Sequence, residues 1–294
     1  MSQSALTIAS LLADPRLERA CRTWLKGGRY ELEDLGSLAD PIAELERRRE
    51  AFDVVLLQQG TIPPDVYEGL RRQGLVLPAV VVGEVSGRLE YHEAEVHLPQ
   101  DQLEQIAYSV DAAVSRFLRS GVSAETGGAN GAGTAVAVTP EPWRLPNRLR
   151  GRLGYLGVFY KRDPALFLRN LPSGERQELL ASLERSYRDL LISYFKDPAA
   201  ANQAIESFVH TAFFSDLPIN KVVEIHVDLI DGFWKQLKLE GHKNDFLQDY
   251  RLALLDVLAH LCEMYRRSIP PDQPMAVSVE AGATAGQPPS EEVI

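Results

Sequence analysis

The chain has 294 residues, 45% of them hydrophobic and 24% charged, enough for about two soluble domains with cores of their own. Its 31 basic against 41 acidic side chains leave a formal charge of −10 with no basic face, which excludes nucleic acid as an expected partner. Residues 1–12 carry no Lys or Arg, and no stretch approaches the roughly 18 uncharged apolar residues that span a bilayer; neither a signal peptide nor a membrane partner is expected, and the protein reads as cytoplasmic.

From Ser4 to about Ser120, apolar runs alternate with helical patterns. Ala5 to Leu12, Tyr30 to Leu35, Phe52 to Leu57, Pro78 to Val82 and, more weakly, Glu95 to Leu98 read as strands. Pro15 to Lys26, Asp40 to Glu50, Asp65 to Arg72 and Gln102 to Leu118 read as helices, while Glu84 to His92 carries no convincing one. Asp14-Pro15 and Asp40-Pro41 each place a capping acid before a proline at the first helical position. Alternation of this kind implies an α/β domain over 1–120, a doubly wound parallel sheet with helices on both faces.

This order resembles the response-regulator receiver domain, and the resemblance is most useful for what is missing. FDVVLLQ looks like the receiver's third strand, yet the phosphoacceptor position, five after Asp53, is Gln58, whose neutral carboxamide cannot form an acyl phosphate. Gly83 stands where the resemblance implies a Ser or Thr, and Leu98 where it implies a Lys before Pro99. Only Asp14 remains of the metal-binding acid pair, and its place before Pro15 is explained as a helix cap. The expectation is a pseudo-receiver that binds or senses without phosphotransfer.

Residues 121–151 change character. Ala124 to Pro142 is rich in Gly, Ala and Thr and reads as a flexible linker; its GGANGAG run has no following Lys and no strong strand before it, so it is not a phosphate loop. Trp143 to Arg152 reads as a short basic helix. GYLGVFYKR, Gly154 to Arg162, favours a strand, and a lone strand needs a groove to lie in; Tyr155, Leu156, Val158, Phe159 and Tyr160 form a candidate docking element.

Residues 152–270 read as all-α. Asp163-Pro164 caps a short helix, followed by long ones at Ser173 to Phe195, Pro198 to Phe214, Ile219 to Leu239 and Asn244 to Ile269. Short connections imply antiparallel neighbours and a four-helix bundle, and the wide apolar stripes favour dimerisation. Residues 271–294, rich in Pro, Ala and Ser, read as a disordered tail.

On the last helix, Phe246, Leu247, Tyr250, Leu254, Val257, Leu258, Leu261, Met264 and Tyr265 share one arc, and Asp249, Asp256, His260, Glu263 and Arg267 share another. His260 reads either as an exposed histidine near Asp256 and Glu263 or as an interface residue. HEAEVH spaces its histidines by five where a zinc motif needs four, and the helices contain no Glu-x-x-His, so no metal or cofactor site is expected. A phosphotransfer histidine, His226 or His260, is the alternative function, that of a two-component signalling protein; neither is followed by an acid. Cys21 and Cys262 form no CxxC and both read as small buried hydrophobes.

RLGYLGVFYKRDPALFLRNLP, KVVEIH and DYRLALLDVLAHLCEMYRRSIP resemble the C-terminal domain of the KaiA family of cyanobacterial circadian clock proteins nearly residue for residue. LPAVVVGE, AEVHL and QLEQIAYSVDAAVSRFLR resemble its pseudo-receiver. The resemblance implies a homodimer, without enzymatic activity of its own, that binds the C-terminal tail of KaiC, stimulates KaiC autophosphorylation and is sequestered when KaiB joins KaiC. It implies His260 as the KaiC-contacting histidine, with Asp256, Glu263, Met264 and Arg267 as the expected partner-binding set around it. It also implies an oxidised quinone as a sensed ligand. GYLGVFYKR would be an autoinhibitory strand covering the groove.

Overall fold

The computed structural model describes residues 5–26, 29–126, 149, 162–239 and 250–269. Strands β1 (Leu6–Leu11), β2 (Tyr30–Asp34), β3 (Val54–Gln58), β4 (Ala79–Val82) and β5 (Val96–Leu98) form one parallel sheet in the order β2-β1-β3-β4-β5. Helices α1 (Pro15–Trp24), α2 (Pro41–Arg47) and α3 (Pro64–Arg72) connect the first four strands. Residues 83–95 contain no helix, and α4 (Ile106–Thr126) follows β5 through a 3-10 turn at Leu103–Gln105.

The expected caps form: Asp14 accepts from the Arg16 amide at 2.8 Å and Asp40 from the Ala43 amide at 3.0 Å. Because both sheet faces are covered, the inner strands β3 and β4 are almost wholly apolar, whereas edge strand β2 carries Glu31, Glu33 and Asp34. Ile8, Val54, Leu56, Val80 and Val82 pack on one side with Leu17, Cys21, Val110 and Val114. Ala9, Leu11, Val55, Leu57 and Val81 pack on the other with Leu45, Tyr67 and Leu70. Helix α4 continues past Leu118 into the stretch expected as linker, since adding residues to an existing helix costs far less than starting one.

The helical half begins with 3-10 turns at Pro164–Leu166 and Leu168–Asn170, where one short α-helix is expected from sequence. Asp163 does cap, accepting from the Ala165 amide at 3.0 Å, but Phe167 is extended at φ −67° and ψ 136° and ends the helix before it starts. Then come α5 (Ser173–Ser193), α6 (Pro198–Phe214), α7 (Ile219–Leu239) and α8 (Tyr250–Ser268). Asp197 caps α6 by accepting from the amides of Ala199 and Ala200 at 3.0 and 3.2 Å. Glu206 is the only Asp, Glu, Lys or Arg of α6, and a helix so apolar all round must be buried; it touches α4, α5, α8 and β5.

The two halves share one apolar core. A buried polar seam runs through it: Gln105 Nε2 donates to the hydroxyls of Ser182 and Ser186 at 2.9 and 2.7 Å, and its Oε1 accepts from Thr211 Oγ1 at 2.8 Å. Arg29 bridges Asp111 at 2.9 Å to Asp163 at 3.1 Å, and Arg116 pairs with Glu206. Tyr155, Leu156, Val158, Phe159 and Tyr160 lie outside the described residues, as do 240–249 and 270–294; of the expected basic helix at 143–152 only Leu149 is described, and it is buried. No helix among the described residues is long and apolar enough to cross a membrane.

Candidate partner-binding face

Helix α8 sorts its side chains into faces. Ala253, Val257, Leu261 and Met264 are buried against α6 and its neighbours. Asp256, His260 and Arg267 form an outward polar stripe, with Glu263 half-buried among them. Leu252, Leu255, Ala259 and Cys262 form an outward apolar stripe alongside. The periodicity that buries Val257 and Leu261 leaves these other positions no core to enter. Of the expected partner-binding set, His260, Asp256, Glu263 and Arg267 are therefore brought together, whereas Met264 faces inward and supports them from beneath.

The His260 ring has Nδ1 2.8 Å from the Asp256 carbonyl oxygen. A carbonyl only accepts, so Nδ1 carries a proton and Nε2 is left to face a partner. Tyr194 donates its hydroxyl to the Asp256 carboxylate. Glu263 accepts from Arg266 at 2.6 Å and Arg267 at 2.5 Å, and these hydrogen bonds hold its carboxyl down at about 2. His210 on α6 is buried, and burial first, then the charges of Arg116, Arg119 and His260, keep its imidazole well below its ordinary value. The stripe thus presents the His260 ring tied through Nδ1 to the Asp256 carbonyl, the Asp256 carboxylate held by Tyr194, and the ion-paired cluster of Glu263 with Arg266 and Arg267.

The apolar stripe was not anticipated as a site. Leu255 is 62% exposed and Val227, on α7, 55% exposed. Ile219 and Val223 are exposed on α7 as well, at the i and i+4 spacing that puts them on one face with Val227. Cys262 corrects an expectation: it is exposed, because it falls on the outward stripe of α8, while Cys21 is buried and burial pushes its thiol up to about 12. The helical wheel that singles out His260 could have found this stripe.

Arg162, the last residue of the expected GYLGVFYKR strand and the one residue of it that the structure describes, is held fast. Its guanidinium lies 4.9 to 5.4 Å from the ring centroids of Phe167, Phe213 and Tyr265 and donates to Asp216 at 2.7 Å. Asp216 has φ 54°, a left-handed conformation that aspartate tolerates better than most residues, and it also pairs with Arg169 at 3.3 Å.

At the end of the sheet where a receiver would take a phosphoryl group, the space is filled. Gln58 Oε1 accepts from the amides of Ala13 and Asp14 at 2.9 and 3.0 Å. Gln59 accepts from the Glu84 amide at 2.6 Å, and its side chain occupies the room that a Cβ on Gly83 would need. His226 is buried against the Tyr187 hydroxyl at 3.1 Å, which shields it from phosphoryl donors. His97 Nε2 meets Glu95 at 2.8 Å, and among the described residues no group of three or more His, Cys, Asp or Glu could hold a metal ion.

The family described as KaiA C-terminal domain matches residues 151–272, and that described as circadian clock protein KaiA, N-terminal domain, matches 6–121. The circadian clock oscillator protein KaiA of Parasynechococcus marenigrum is 56% identical over 282 residues, covering 94% of this chain and 93% of that protein. This chain belongs to the KaiA family. The KaiA of Synechococcus elongatus is 42% identical and covers 91% of this chain and 98% of its own length. The crystal structure of the C-terminal domain of Thermosynechococcus elongatus BP-1 KaiA aligns at 50% identity with 36% of this chain and 100% of its own, with a TM-score of 0.32. The α8 face is accordingly a face of a KaiA circadian clock protein, and Gln58 and Gln59 are bonded to backbone amides at the end of its parallel sheet.

Proposed function

We propose that this KaiA family member is a homodimeric activator without catalytic activity of its own, which captures the C-terminal tail of KaiC and so promotes KaiC autophosphorylation. The observation that carries the reading is the adjacency on α8 of the His260 polar stripe and the exposed apolar stripe of Leu252 and Leu255. An amphipathic peptide needs both surfaces, one for its apolar anchors and one for its polar flank. Capture of only the tail-exposed form of KaiC shifts that partner's population without bond-making by this chain. The same reading has the chain sequestered in a KaiB–KaiC complex, places it in the cytoplasm and gives it an oxidised quinone as a sensed signal.

In this reading the exposed apolar positions of α7 and α8 line a groove at the dimer interface, where Leu252 and Leu255 meet both the second protomer and the captured tail. The segment 155–160 acts as an autoinhibitory strand, and Arg162, locked in its aromatic cage, fixes the point where it enters the helical half. Gln58 in place of a phosphoacceptor supports action without phosphotransfer.

His260→Ala is expected to leave the far-UV circular dichroism spectrum and the oligomeric state unchanged while weakening binding of a KaiC tail peptide about tenfold, measured by fluorescence anisotropy. Unaltered affinity would remove His260 from the site. Covalent label on this chain after incubation with labelled ATP or acetyl phosphate would instead favour the two-component alternative.

A further inference from the structure

The loop after β4 runs from the end of the sheet to the first turns of α6. At its start, Gln59 from the end of β3 lies over Gly83, accepts from the Glu84 amide at 2.6 Å and donates through Nε2 to Ser86 Oγ at 3.4 Å. At its far end, the Gly87 amide donates to Gln203 Oε1 on α6 at 2.9 Å, and Gln203 Nε2 reaches the Arg88 carbonyl at 3.5 Å. Gly87 has φ +72°, and a Cβ there would fall 2.5 Å from the Ala199 Cβ and 2.6 Å from its carbonyl carbon. Only glycine allows the loop to press so closely on the first turns of α6.

Space flanks the loop on both sides. A cavity of about 340 Å³ is lined by Glu84 and Val85 together with Ala204 and Ser207, and one of about 150 Å³ by Gly87 and Leu89 together with Gln203 and His210. Val85 packs against the core, and the loop's two ends are held by the polar contacts of Gln59 and Gln203. The helix at its far end, α6, is the one against which Met264 and the rest of the buried face of α8 pack.

We propose that residues 83–88 are a clasp, with Gln59 and Gln203 as its positioning residues, through which the end of the sheet that a receiver would phosphorylate sets the first turns of α6. A change at Gln59 releases Glu84 and Ser86, the loop shifts into the flanking space, Gly87 lets go of Gln203, and the start of α6 loosens. Since α6 lies under α8, the clasp gives the sheet half a physical handle on the helix that carries His260.

The test is amide hydrogen exchange on the full-length chain carrying Gln59→Ala, Gln203→Ala or both. Each single variant is expected to speed exchange at residues 199–203 about fivefold, the worth of one net hydrogen bond. The double variant is expected to add little beyond the larger single effect, because both act on one element. Acceleration confined to 84–86 in Gln59→Ala, or effects that multiply in the double variant, would overturn the clasp. If Gln59→Ala fails to fold, Gly87→Ala tests it from the other end: with Gln59 intact, exchange at Glu84 and Ser86 should rise, and unchanged rates there refute it. No partner enters this readout, so its failure is distinct from failure of the tail-capture reading.

Discussion

Asp111, on the buried face of α4, has the Arg29 guanidinium 2.9 Å away and the Tyr30 hydroxyl 3.1 Å away, yet burial outweighs both partners and pushes its carboxyl up to about 6. The folded chain therefore binds this proton more tightly than the unfolded chain does. Its contribution to stability is fully present below the ordinary carboxylate value and is lost as pH rises through about 6. Asp111→Asn is expected to remove the gain in urea midpoint that this one group contributes as pH falls from about 6 to about 4, read as the difference between parent and variant across that range. An unchanged slope would place the titration elsewhere. At this same scale Gln58 and Gln59 mark what sequence can and cannot tell. That Gln58 replaces a phosphoacceptor follows from the FDVVLLQ pattern alone, but neighbouring strand residues point to opposite sides, and nothing local says that Gln59 turns over Gly83 to hold Glu84.

At the scale of the element, the strands and long helices were legible because their signals are local: acid–proline caps at Asp14, Asp40 and Asp197, and apolar periodicity between them. The segment at 164–170 was misread because Phe167 answers to a tertiary demand, seating its ring under Arg162, that overrides the helix signal of Asp163-Pro164. Cys262 was misread because its residue type, not its place on the wheel, was weighed. The same wheel gives a prediction for α8. Leu255 is 62% exposed, so Leu255→Lys removes no core contact of consequence and is expected to leave the urea midpoint within about 0.5 kcal/mol of the parent. If dimerisation covers this stripe, the variant should sediment as a monomer at concentrations where the parent does not. A variant that still sediments with the parent would take Leu255 out of the interface.

Across the whole molecule, the sheet half and the helical half meet through Gln105, Ser182, Ser186 and Thr211, all buried, and no sequence pattern announces such a seam. Each of these residues is polar in a place where composition alone would favour an apolar one, and only the fold brings them within reach of one another. Gln105→Leu would take their side-chain partner from the hydroxyls of Ser182 and Thr211, while Ser186 keeps its bond to Gln102. The expected cost is about 2–4 kcal/mol, read as a fall in urea midpoint, and it should exceed that of an exposed substitution such as Leu255→Lys. A cost below about 1 kcal/mol would mean that the seam is wet or slack.

The two cysteines sit in opposite circumstances, one sealed beneath the sheet and the other open on α8. A maleimide dye will therefore mark the native chain at Cys262 alone, without any engineered thiol. Because Cys262 borders Leu255 and Ala259, the speed of that labelling is a clock-hand for whether the outward face of α8 is bare or covered.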